Sequence, residues 1–190
     1  MSEIATRKKK LRRKFLKIRA GLSGEERERN SLLICRHLSH WNRYTKSKTV
    51  HCFMTIEKNG EVRTASILKQ LSEDGKRIVL PRTDMKTKEM THYLYESGGQ
   101  LECNPQGIIE PAGGEPVLPA ELDLVLVPVV AADLQKNRLG YGLGFYDRFL
   151  ARTDALKAGL LFESCFSPDP LPVSRFDVKL DYLITEKGIY

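Results

Sequence analysis

Three glycines, Gly140, Gly142 and Gly144, stand between an arginine and an aspartate in the stretch Asn137-Arg-Leu-Gly-Tyr-Gly-Leu-Gly-Phe-Tyr-Asp-Arg148. Each residue type suits one part of phosphate chemistry. Glycine lets a backbone take positive φ and approach an anion closely, with its N–H groups turned toward the charge. Arg138 can present a bidentate fork to phosphate oxygens, and Asp147 offers the hard oxygen that holds a divalent cation against them. The spacing is neither the dinucleotide fingerprint nor a P-loop, since no Gly-Lys-Ser/Thr follows.

The flanking elements give the loop its place. Leu122-Asp-Leu-Val-Leu-Val-Pro128 reads as a buried parallel strand, and Phe145, Phe149 and Leu150 fall on one side of a helix that begins at Phe145. Ligands of open α/β sheets bind where strands end at their carboxyl edge, and a helix amino end favours phosphate.

A second cationic element opens the chain. From Arg7 to Leu22, Lys and Arg are dense, while Ile4, Leu11, Phe15, Ile18 and Leu22 form one narrow apolar face at helical spacing. Lys8, Arg12 and Arg19 flank one edge of that face; Lys9, Lys10, Arg13 and Lys17 point elsewhere. A helix docked by this stripe delivers Lys8 and Arg12, one turn apart, to the border of a cleft. The rival readings are a solvated basic helix and a nucleic-acid-binding tail, the latter opposed by the clean stripe. Glu3 speaks against a transit peptide.

The remaining elements follow in order. Ser23-x-x-Glu26 is a capping box for a helix running toward Trp41, on which His37 and His40 read as surface residues because no Cys or carboxylate ligand stands near. Val50–Thr55 reads as a strand, Thr64 as the cap of a helix ending at Gly75, and Lys76–Pro81 as a strand parallel to the first. Glu61 follows the first strand's exit, on the ligand edge of such a sheet. Met90–Tyr95 alternates as a half-buried strand, with His92 a packed residue. The run from Pro111 to Pro119 is a loop, Lys157–Phe162 a further strand and Asp181–Thr185 the last.

Composition sets outer limits. The 190 residues suit one domain, 1–190, with a sizeable core, and a net charge of +7 suggests an anionic partner without saying which. Cys35, Cys52, Cys103 and Cys165 have no metal or disulfide spacing and read as reduced thiols of a cytoplasmic protein. No apolar run approaches the roughly 20 residues of a membrane span.

Taken whole, the central stretch resembles the 5-formyltetrahydrofolate cyclo-ligase family, whose signature Arg-Leu-Gly-x-Gly-x-Gly-(Tyr/Phe)-Tyr-Asp it matches at each defined position. Lys8, Leu11, Arg12, Leu16, Arg19, Leu22 and Ser23 match the family's opening pattern, Gly107-Ile-Ile-Glu110-Pro111 its Gly-Ile-x-Glu-Pro, and Asp177 with Asp181 its Asp-x-x-x-Asp.

The resemblance covers nearly the whole chain. It implies a single-domain, three-layer α/β sandwich with a mostly parallel central sheet, Rossmann-like and of sugar-phosphate-isomerase-like topology. It implies conversion of 5-formyltetrahydrofolate and ATP to 5,10-methenyltetrahydrofolate, ADP and phosphate, with Mg2+ as cofactor and neither nucleic acid nor membrane as partner. By the same resemblance Arg138, Tyr146 and Asp147 are catalytic. Lys8, Arg12 and the run Arg138, Leu139, Gly140, Tyr141, Gly142, Leu143, Gly144, Phe145 and Tyr146 bind ATP. Met54, Glu61, Phe145 and Tyr146 bind the folate, and Asp147 with Asp181 hold the metal. Three departures stand out: Leu143 where relatives often carry Lys, Ala132–Lys136 where many have Phe-Asp-x-x-Gly, and Cys165 where Gln is common.

Two other classes compete with an ATP-dependent enzyme. A sugar-phosphate isomerase or phosphate-binding regulator would use the glycine loop without hydrolysing ATP. A nucleic-acid-binding protein would use the basic helix, but the chain has no recognised module for it.

Overall fold

The computed structural model describes residues 3–96 and 98–190. Helix α1 (Glu3–Ala20) is followed by α2 (Gly24–Ser39), which starts at the expected capping box: the Ser23 hydroxyl accepts from the Glu26 amide and the Glu26 carboxylate from the Ser23 amide. A short α3 (Asn42–Lys46) leads to β1 (Thr49–His51). The strand is shorter than its apolar run because the chain leaves the sheet after His51, and residues 52–56 form the loop toward Glu61.

Helix α4 (Ala65–Glu73) returns the chain for β2 (Arg77–Asp84), parallel to β1 as the β-α-β order predicts. Thr64 stands at the N-cap, but its hydroxyl donates to the Phe53 carbonyl and does not cap the helix. Strand β3 (Glu89–Tyr95) folds back on β2 as a hairpin, and β4 (Leu101–Cys103) pairs with β5 (Ile109–Pro111) in a separate ribbon. Then come β6 (Leu124–Pro128), the small hairpin β7 (Ala131–Ala132) and β8 (Arg138–Leu139), α5 (Phe145–Leu150), β9 (Leu156–Leu160), β10 (Tyr182–Thr185) and β11 (Gly188–Ile189).

The main sheet runs β11-β10-β9-β6-β1-β2-β3. Its five inner strands are parallel and the two edges antiparallel, so the α/β architecture is the expected mostly parallel one. Because side chains alternate along a strand, β6 feeds two cores. Leu124 and Leu126 meet Ile34 and Leu38 of α2 and Ile67 and Leu71 of α4 on one face. Val125 and Val127 meet Phe15 of α1 with Phe149 and Leu150 of α5 on the other. Each such fully buried side chain contributes about 1.5–3 kcal/mol by leaving water, and the two faces make three layers.

The sheet is close-packed at β9, between β10 and β6. A Cβ at Gly159 would lie 2.6 Å from Leu180 Cδ1 and 2.9 Å from Val129 Cγ2, so only glycine fits there. Cys35, Cys52 and Cys165 are buried, Cys103 is exposed, and all four are free thiols. No helix among the described residues is long and apolar enough to cross a membrane.

Candidate functional site

A cleft of about 700 Å³ opens at the carboxyl edge of the parallel strands, beside Met54 beyond β1, Pro81 in β2 and Pro128 at the end of β6. Every candidate residue named from the sequence lines it, except Asp181.

The glycine loop lines the cleft. It follows the β7–β8 hairpin, which intervenes between β6 and the loop and was not expected from the sequence. Gly142 and Gly144 have φ of 97° and 73°, which other residues rarely adopt, whereas Gly140 is not among the positive-φ positions. Among the described residues, the amides from Gly140 to Asp147 donate to no protein group. They are open to an anion. Helix α5 spans only six residues, too short for an appreciable macrodipole of its own, so anion attraction rests on these amides and on nearby cations.

Three cations converge on the loop. Arg12 Nε donates to the Gly140 carbonyl at 2.7 Å, and a Cβ at Gly142 would come within 3.0 Å of the Arg12 guanidinium carbon. Lys8 forms an ion pair with Asp177. Arg138, whose side chain is only 4% exposed, donates to Asp147 Oδ1 at 2.7 Å and to the Val178 carbonyl. Burial lowers the pKa of Arg138, an effect that Asp147 and Asp177 offset. Burial would raise the Asp177 carboxyl, but Lys8 and the Ser174 amide outweigh it and hold the group below its ordinary range. Helix α1 thus docks as expected at Lys8 and Arg12. Three details differ: Ile4 is exposed, Lys9 reaches the cleft rim, and Arg19 turns inward and is 3% exposed.

The metal assignment of Asp181 requires correction. It precedes β10 at the amino edge of the sheet, where its carboxylate accepts from the Lys157 amide at 2.8 Å and its carbonyl from Lys136. The structure does not bring it together with Asp147. The acid that shares the cleft with Asp147 is Asp177, the first position of the same Asp-x-x-x-Asp motif. Asp147 Oδ1 accepts from Arg138 and from the Val178 amide, leaving Oδ2 without a partner among the described residues.

The cleft also has an apolar lining of Met54, Met85, Met90, Ile108 and Ile109. Glu61, 4% exposed, lines it too. One of its oxygens accepts from the Ile56 amide at 2.7 Å and the other from the Tyr141 hydroxyl. Burial raises its pKa, against the lowering effects of Tyr141, Ile56 and Arg19. Phe145 and Tyr146 line the same cleft. The Tyr146 hydroxyl is buried with no hydrogen-bond partner among the described residues, and burial raises its pKa. An unsatisfied donor at a cleft wall is one that a ligand can satisfy.

Of the further lining residues, Glu110 was named only within the Gly-Ile-x-Glu-Pro motif and Lys58 not at all. Glu110 is 3% exposed and accepts from the Thr83 amide and hydroxyl; Lys58 closes one wall by donating to the Gln106 carbonyl at 2.6 Å. Asp177 was legible only as half of a motif. Arg19 sits four residues after the buried Phe15, and that i,i+4 relation was the available signal that its side chain also faces the core. His37 Nε2 donates to the Glu186 carbonyl, and His40 Nδ1 donates to the Arg36 carbonyl and meets the Ser39 hydroxyl. No group of three potential metal ligands occurs among the described residues.

Fold and cleft together define an α/β protein with a cleft of small-molecule size at the carboxyl edge of its parallel sheet. Residues 4–186 match the model of the 5-formyltetrahydrofolate cyclo-ligase family, and the chain belongs to that family. A 5-formyltetrahydrofolate cyclo-ligase of Mus musculus is 30% identical over 178 residues, covering 87% of this chain and 86% of that protein. One of Escherichia coli K12 is 32% identical over 147 residues, 75% of this chain and 80% of that one. Among solved structures, the 5,10-methenyltetrahydrofolate synthetase of Aquifex aeolicus superposes with a TM-score of 0.82 at 35% identity, covering 96% of this chain and 91% of that one. The synthetase of Mycoplasma pneumoniae, at 23% identity, shares the fold with a TM-score of 0.75 over 94% of this chain and 98% of that one.

Proposed function

We propose that the protein cyclises 5-formyltetrahydrofolate to 5,10-methenyltetrahydrofolate while converting ATP to ADP and phosphate. The observation that supports this most directly is one cleft that combines open loop amides, Lys8, Arg12 and Arg138 with a buried Glu61 and an apolar lining.

The formyl oxygen is a poor leaving group, so it first attacks the γ-phosphorus, and the bond to the bridging oxygen breaks to release ADP. The resulting N5-iminium phosphate is attacked at its carbon by N10, which loses its proton; phosphate then leaves with the former formyl oxygen. Such chemistry needs alignment and charge neutralisation more than a protein nucleophile. In this reading Lys8 and Arg12 exchange their present partners for phosphate oxygens, while Arg138 and the loop amides face the transferring group. Glu61 accepts from N–H groups of the pterin, with Met54 packed beside it, and Tyr146 and Phe145 line the place where the two substrates meet.

The donor set fits Mg2+. Asp147 presents a free carboxylate oxygen, with Asp177 in the same cleft, and this cation is commonly held by one or two carboxylates plus substrate phosphates. When bound, Mg2+ would offset the charge of the polyphosphate.

Growth of methenyl-folate absorbance from 5-formyltetrahydrofolate tests the reading. Signal that requires both ATP and Mg2+ supports it; turnover without ATP, or none with both present, rejects it.

A further inference from the structure

Arg19 is a buried cation that touches no cleft surface. Its Nη1 donates to the Val129 carbonyl at 3.2 Å and its Nη2 to the Tyr141 hydroxyl oxygen at 2.7 Å, with the guanidinium carbon 5.7 Å from the Tyr141 ring centre. Because arginine only donates, the Tyr141 hydroxyl must send its own proton onward. It does so to Glu61. The chain of hydrogen bonds therefore has a fixed direction, from Arg19 through Tyr141 to Glu61. The loop before Glu61 rests on the same arginine: Gly60 has φ of 63°, and a Cβ there would lie 3.7 Å from Arg19 Cγ.

Tyr141 is also the residue between Gly140 and Gly142, in the loop whose amides are open to phosphate. We propose that Arg19 and Tyr141 are positioning residues that couple the two substrate sites, so that nucleotide on the glycine loop sets the Glu61 carboxylate and tightens folate binding. The inference rests on the preceding assignment of the glycine loop to nucleotide and of Glu61 to folate. Its physical basis is that the Tyr141 backbone is flanked by glycines and can follow the loop, while its side chain is held at both faces of its hydroxyl. A displacement of the loop therefore changes the geometry at Glu61, and a loop ordered by nucleotide restores it. Linkage makes the effect reciprocal, so folate tightens nucleotide by the same factor.

A directional chain also affects protonation. Glu61 faces Arg19 from α1, Tyr141 from the glycine loop, Tyr146 from α5, and Glu57 from its own turn, beside which Arg27 of α2 packs on Gly60. Burial raises the Glu61 pKa, and the Tyr141 hydroxyl is the first of the groups that counter it. Removing that hydroxyl raises the pKa further, so the carboxylate is lost at a higher pH as acid is added.

The test measures the dissociation constant of 5-formyltetrahydrofolate with and without a non-hydrolysable ATP analogue and Mg2+, in the full-length protein and its variants. In the unaltered protein the analogue is expected to tighten folate at least about five-fold, the lower end of ordinary coupling. In Tyr141→Phe the factor falls below about two-fold, and the acid limb of kcat/KM for folate moves to higher pH. Arg19→Lys, which keeps the charge but loses the two-acceptor fork, shows the same loss of coupling. Melting temperatures identify any variant that is simply unfolded.

Glu61→Gln separates this inference from the reading beneath it. Unchanged folate affinity in Glu61→Gln would remove Glu61 from the folate site and both proposals with it. At least about ten-fold weaker folate in Glu61→Gln, with full coupling retained in folded Tyr141→Phe, would overturn the coupling alone. Absence of coupling in the unaltered protein would overturn it as well.

Discussion

Arg138 and Asp147 hold each other at 2.7 Å, and the Val178 amide donates to the same carboxylate oxygen at 3.2 Å. The guanidinium proposed to face phosphate and the carboxylate proposed to hold a metal are thus already fixed against each other. Asp147→Asn is expected to cut turnover at least about 100-fold, the scale of losing a key electrostatic group. Asp181→Asn, at the other edge of the sheet, should leave turnover within about two-fold and cost about 1 kcal/mol of stability through its bond to the Lys157 amide. Turnover against Mg2+ concentration, with melting temperature beside it, checks both. Near-normal turnover of folded Asp147→Asn at limiting Mg2+ would remove Asp147 from the metal site.

Helix α1 supplies a graded series. Lys8→Ala or Arg12→Ala loses a charge-assisted contact of about 1.5–3 kcal/mol, so KM for ATP should rise roughly 10-fold or more. Lys9, at the rim, should show a smaller rise, and the exposed Arg13 almost none. Equal effects at all four positions would indicate a diffuse field and not a docked helix.

Leu143 is 46% exposed and lines the cleft, so it has room for a longer side chain. Leu143→Lys should place a partly solvated cation near the phosphates, worth about 0.2–1 kcal/mol, or at most about a five-fold gain in ATP affinity. The gain should shrink as salt increases. A weaker KM for ATP with a lowered melting temperature would show that the side chain has packing contacts that the exposure understates.

Two buried histidines make stability depend on pH. His51 and His92 meet edge to face at 5.1 Å between ring centres, and none of their four nitrogens has a partner among the described residues. Burial depresses both, aided for His51 by His92 and for His92 by Arg152; His92 falls from 6.5 to about 4. A depressed folded-state value means that the unfolded chain takes up protons first. Above pH 6.5 both states are neutral and nothing is lost; as pH falls from 6.5 toward 4, stability declines, by on the order of 3 kcal/mol for His92 alone. His92→Leu should flatten this decline while changing stability at pH 8 far less. An unaltered slope in thermal melts from pH 8 to pH 4.5 would refute the assignment.

Local rules reached far where one residue type has one use. The Ser23-x-x-Glu26 box located α2 because the two reciprocal bonds need that spacing. The alternation of Leu124, Val125, Leu126 and Val127 required a strand with two buried faces, hence helices on both. Rules failed where a neighbour distant in sequence decides. Arg19 has the composition of a surface residue; only the Val129 carbonyl and Tyr141, brought by β6 and the glycine loop, make it a buried one. Asp177 and Asp181 are chemically alike, and the choice between them depends on where the chain crosses from the cleft to the amino edge of β10. The β7–β8 hairpin, two residues per strand, is too short to impose a period.

The ion pair of Lys8 with Asp177, like that of Arg138 with Asp147, means that the cleft carries its own counter-ions. On the proposed function, nucleotide entry is then an exchange of anions and not the filling of a bare positive hole. A small, weakly charged anion cannot repay the displacement of a carboxylate already in place, whereas a polyphosphate accompanied by its cation offers both partners a replacement. Selectivity for nucleotide over free phosphate can therefore come from the protein's own carboxylates, which compete for the cations until a better set of charges arrives.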